Sequence, residues 1–111
     1  MSTSDSAVRD AILTDPRASL PMTHQFLAAY FHQDWMMDNP RWSDAVDDFV
    51  AESTRPSVTG TAAEMRRLAG AGFDEPALRA VLENLDSALD PAGVGLDAQS
   101  WLAAVIERLD G

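Results

Sequence analysis

Residues 42–50 read WSDAVDDFV, and their spacing constrains the chain more tightly than any other stretch. Trp42, Ala45, Val46, Phe49 and Val50 fall at i, i+3, i+4, i+7 and i+8, which gathers them on one side of an α-helix. Asp44, Asp47, Asp48 and Glu52 fall on the other side, the two sets centred roughly 160° apart at 100° per residue. The pattern predicts a helix over about residues 40–53 with an apolar inner side and an acidic outer side. Asn39 is expected as its N-cap, with Pro40 at the first helical position.

The same period recurs along the chain. Ala7, Val8, Ala11 and Ile12 predict a short helix over residues 4–14, with Ser4 as its cap and Pro16 at or just past its end. Residues 1–17 are expected to attach loosely, as terminal segments do. A second helix is expected to start near Ser19, with Pro21 in its first turn and Phe26, Leu27, Tyr30 and Phe31 on one face. Residues 53–61, STRPSVTGT, read as a linker by composition. Thr61 and Glu64 then fit a capping box opening a helix that stops at Gly70 and Gly72. Asp74 caps a helix carrying Leu78, Val81, Leu82, Leu85 and Leu89, and residues 90–95, DPAGVG, break the chain. Asp97 caps a last helix with Trp101, Leu102, Val105, Ile106 and Leu109 on one face. No segment alternates as a strand would. The expectation is one all-α domain over residues 1–111, a compact bundle of five or six short helices.

Charge narrows the function. Eighteen Asp and Glu stand against eight arginines and no lysine, a formal net charge of −10. Such a domain repels phosphate backbones and anionic lipid, so neither nucleic acid nor membrane is an expected partner. A basic protein is. No apolar run exceeds six residues, far short of the roughly 20 that span a bilayer. The first ten residues lack the basic and apolar regions of a signal peptide. The absence of cysteine rules out disulfides and thiolate chemistry and agrees with a cytoplasmic location.

Residues 30–35, Tyr30, Phe31, His32, Gln33, Asp34 and Trp35, form the densest group of chemically capable side chains. His24 and His32 are eight residues apart, about 80° around and about 12 Å along one helix, too far for one zinc ion. A metal-dependent enzyme built on His24, His32 and Asp34 is the minor alternative. There is no nucleophile elbow, phosphate loop or Glu-x-x-His di-iron motif, so no cofactor, metal or catalytic residue is expected. If the second helix ran on past Phe31, Gln33 and Asp34 would rotate into its apolar arc. Burying that carboxylate unpaired would cost several kcal/mol. The helix must therefore end near residue 33, or hydrogen bonds must hold those side chains. Either way His32, Gln33 and Asp34 act as a polar clasp at a helix end, with Trp35 covering the core.

AAYFHQDW (residues 28–35), an Asp/Asn-rich turn and an acidic helix ending in VDDFV resemble the CdiI-type immunity proteins of bacterial contact-dependent growth inhibition. The likeness continues through Phe49, residues 66–68 and SWLAAVIERL near the C-terminus, covers roughly residues 18–110, and leaves the first helix unmatched. It implies a cytoplasmic protein that binds and blocks the C-terminal toxin domain of a cognate effector. Such toxins are frequently nucleases with basic substrate-binding faces. The resemblance assigns no contact residues. From the acidic helix we expect Asp38, Asp44, Asp47, Asp48 and Glu52 to meet the toxin, a monomer binding it 1:1 without catalysis. An acidic adaptor or nucleic-acid mimic acting on another basic protein is the alternative.

Overall fold

A computed structural model describes residues 2–38 and 41–110, with side chains described for 7–37 and 41–110. Helices α1 (Ser2–Thr14), α2 (Pro16–Ser19), α3 (Pro21–Tyr30), α4 (Trp35–Asp38), α5 (Trp42–Glu52), α6 (Arg55–Ala69), α7 (Glu75–Asn84) and α8 (Ala98–Asp110) follow one another, with a 3₁₀ turn at Pro91–Val94. No strand occurs among the described residues. The all-α expectation holds, with six helices of useful length. The two additional ones, α2 and α4, are single turns of four residues. Asn39 and Pro40, the expected start of the acidic helix, lie outside the described residues, as does the side chain of Ser4.

Two local readings are corrected. Residues 53–61 are no linker: Thr54 caps α6 by accepting the Ser57 N–H, and Pro56 sits in the first turn, where a missing N–H costs nothing. Gly60 then lies inside the helix, where Met22 packs so closely that a Cβ would come within 2.3 Å of its sulfur. Thr61 and Glu64 form no capping box either. Thr61 Oγ1 donates to the Ser57 carbonyl one turn back. Glu64 reaches across to α3, where its carboxylate accepts the N–H groups of Met22 (3.3 Å) and Thr23 (2.8 Å). Helix α3 opens at Pro21, two residues past Ser19, with that proline in its first turn as expected; its N-cap Leu20 has no capping side chain of its own, and Glu64 takes that role.

Capping from a distance recurs. Glu75 accepts the Ala98 N–H at the start of α8, beside the local cap Asp97, which accepts the Ser100 N–H at 2.6 Å. Both carboxyls are held below their usual range, Glu75 chiefly by Arg79 and Asp97 chiefly by the Ser100 N–H. At helix C-termini cations do the converse: Arg17 donates to the Asn84 carbonyl and Arg67 to that of Ser19. Helix α7 also ends sooner than its leucine stripe suggests. The chain turns at Asp86, whose φ of +66° is left-handed, and Ser87 N–H and Asp86 N–H close back onto Leu82 and Glu83. Leu85 and Leu89 remain buried, but from the turn rather than the helix.

The core is centred on α8. Trp101 is fully buried, with Phe31 edge-on at 5.5 Å and Trp42 at 6.3 Å. Phe26 continues the cluster to Phe31 and, at 4.5 Å, to Phe49. These rings tie α3, α5 and α8 together, and that contact fixes the orientation of the acidic helix.

Candidate partner-binding surface

Ala45, Val46 and Phe49 are buried on the inner side of α5, and the four acids project outward as the spacing requires. The apolar stripe is narrower than expected. Trp42 is only half-buried and Val50 is 38% exposed. On the helical wheel Val50 lies about 80° from Trp42 and next to Asp47, at the edge of the stripe.

The outward carboxylates are not equivalent. Asp47 accepts both the Nε and Nη2 hydrogens of Arg108 on α8 at 2.8 Å each, a planar fork that lowers its pKa. Arg108 is held above its ordinary range by that fork, and the charges of Asp47 and Asp44 add to the effect. Asp44 also stands 3.8 Å from Arg41. Glu52 accepts the hydroxyl of Tyr30, whose pKa is pushed up to about 12 by burial, by that hydrogen bond, and by the charges of Glu52 and Asp48. Asp48 is exposed and makes no hydrogen bond or ion pair among the described residues. The backbone of Asp38 ends α4, and its side chain is outside the described set.

The histidine-rich corner is built differently. Helix α3 ends at Tyr30, where the Phe31 N–H bonds to Leu27 and its backbone leaves helical space. Phe31 and Trp35 go into the core, 5.7 Å apart. Gln33 and Asp34 stay exposed on the turn, so no acid enters the apolar arc. His32 Nδ1 accepts the Asp34 N–H at 3.1 Å, and the Trp35 N–H returns to the His32 carbonyl. The clasp is real, but its work is done by the imidazole and the backbone rather than the carboxylate. His24 lies elsewhere, its Nε2 2.7 Å from the Asp86 carboxylate, which also takes Arg17. Asp86 is held below its usual range, first by His24 and then by Arg17. Among the described residues no three His, Asp or Glu side chains are grouped to hold a metal ion.

Over residues 19–109 the chain matches the model of the CdiI immunity protein family. The chain belongs to that family. It is therefore a toxin-immunity protein, and the resemblance read from residues 28–50 and 100–109 is confirmed over nearly the same span. No curated protein and no solved structure matches it. No helix among the described residues is long and apolar enough to cross a membrane.

Beside the charges, this CdiI immunity protein exposes large apolar groups. Met36 and Met37 on α4 are 69% and 84% exposed. Methionine is flexible and polarizable, well suited to an adaptable contact. The adjacent pair within WMMD is visible in the sequence, but its exposure is not, because it depends on how the turn after α3 directs α4. Arg108 was also overlooked as a site residue, because its pairing with Asp47 spans 61 positions.

Proposed function

We propose that this CdiI immunity protein neutralises the C-terminal toxin domain of a contact-dependent growth inhibition effector by stoichiometric, non-catalytic binding. Residues 1–111 act as one domain in the cytoplasm, and one copy binds one toxin. The toxin is basic and its activity is that of a nuclease. The docking face is the outer side of α5, with Asp44, Asp47, Asp48 and Glu52, joined by Asp38 on the preceding turn.

The observation that carries this reading is the division of α5. Its inner side is locked by Ala45, Val46 and Phe49, while four carboxylates stand outside on a helix with no basic residue of its own. Family membership supplies the partner class, and a net charge of −10 suits docking onto a toxin whose surface must hold substrate phosphates. Opposite charge across an interface acts mainly on encounter, raising association rates by about 10- to 1,000-fold at low salt.

The test uses the cognate toxin domain. Changing Asp44, Asp47 and Asp48 together to lysine is expected to slow association at least tenfold at low salt and remove most of its salt dependence. The Asp44→Lys, Asp48→Lys pair, which leaves the Asp47–Arg108 fork in place, is expected to give most of that effect. Unchanged association kinetics in both variants would rule out the outer face of α5.

A further inference from the structure

The side of α5 that carries Val50 does not meet α8 flush. Between them lies an open cleft of about 730 Å³ with Trp42, Val50, Ala51 and Ala104 along its floor. Val50 also lines a second recess, of about 510 Å³, shared with α6 and the end of α8. The two recesses are thus joined at an exposed valine and follow α5 from Trp42 to Ser53. Eleven steps of 1.5 Å each make that about 16 Å, three helical turns.

The charges beside the first recess are unbalanced, whereas the second carries Arg55 and an Asp110 already paired with Arg66. Asp47, Glu107 and Arg108 line the cleft, and Asp44 is near enough to act on Arg108. The fork uses Arg108 on Asp47 and leaves for an incoming cation Glu107 and Asp44, whose other partner is the exposed Arg41 at 3.8 Å. The fork also ties the two walls together, so the cleft is preformed.

We infer that this α5–α8 cleft receives a basic amphipathic helix of the toxin, about three turns long. Its apolar stripe lies on Trp42, Val50 and Ala104, and its lysines or arginines meet Asp44 and Glu107. The inference rests on the toxin-binding reading and adds to it the segment recognised and a division of labour. Carboxylates on the rim steer encounter, whereas a desolvated apolar floor governs how long the complex lasts.

That division separates the two claims experimentally. Val50→Asn and Ala104→Tyr alter the floor at positions that are not fully buried, and their thermal melts report whether the fold survives. Each is expected to speed dissociation of the toxin domain about tenfold or more, with association within about twofold of wild type at low and high salt. A second readout needs no substitution. In protein labelled with 5-fluorotryptophan, toxin binding should move the Trp42 ¹⁹F resonance and leave those of buried Trp35 and Trp101 in place. Unchanged dissociation in folded variants, or an unmoved Trp42 resonance in the complex, would overturn the cleft while leaving the outer face standing. Failure of the wild-type chain to bind the toxin would overturn both.

Discussion

Residues 30–35 and the outer face of α5 each concentrate reactive side chains, and the structure uses them in opposite ways. In the first, the large groups turn inward. Phe31 is completely buried against Trp101, Trp35 closes over it, and His32 spends a ring nitrogen on the backbone of the turn. In the second, the carboxylates turn outward, and only Asp47 is held in a bidentate pair. The segment from which the resemblance was first read is therefore a corner of the core. The plainer acidic helix is the one that presents a whole row of carboxylates to solvent.

The largest test of that contrast is Phe31→Ala. Removing a buried aromatic at the centre of the cluster is expected to cost about 3–5 kcal/mol, read as a lower midpoint in urea. Asp48→Ala, on the other face, is expected to stay within about 0.5 kcal/mol of wild type and to change toxin association only. A stable Phe31→Ala protein would show that the corner does not organise the core.

Next in size is Glu64→Ala, which strips the amides opening α3 of their acceptor. Loss of a helix cap costs about 0.5–2 kcal/mol, and urea denaturation should show a loss in that range. No loss would mean that α3, and the corner at its end, need no help from α6. Smaller again is Arg108→Met. The fork with Asp47 is half-exposed, and such pairs contribute at most about 1 kcal/mol. The variant should melt nearly like wild type yet alter toxin binding, because it opens the rim of the cleft.

A further effect is one of pH, and at neutral pH it is silent. The pKa of Tyr30 rises from 10.0 to about 12 on folding, so the folded chain keeps a proton that the unfolded one loses. Its contribution is fully present below pH 10 and is lost as pH climbs toward 12. Tyr30→Phe should remove that part of the alkaline loss in a pH series of melts. At the acid end the signs reverse. Asp47, Glu75, Asp86 and Asp97 all titrate below their usual range, so their contribution is present above it and fades as pH falls through it.

What the amino-acid order revealed depended on how local the cause was. Helices α5, α7 and α8 were legible because their stripes repeat within a few turns and because Asp74 and Asp97 sit beside the amides they cap. Helix α6 was missed where Pro56 and Gly60 looked like breakers. Pro56 is harmless in a first turn, and the reason for Gly60 is Met22, 38 positions away. Glu64 was assigned to the helix it belongs to, whereas it serves another. The early end of α7 depends on a left-handed Asp86 held by Arg17 and His24 from the opposite end of the sequence. The acidic face was read correctly as a face. The cleft beside it was not, because it arises only when α5 and α8 meet.

The most direct test of the central claim is the footprint of the toxin domain on this chain by hydrogen–deuterium exchange. The account predicts slowed exchange in α5 and in the second half of α8, with α1 and α7 unchanged. Protection confined to α1, α2 and α7, with α5 exchanging as in the free protein, would contradict it.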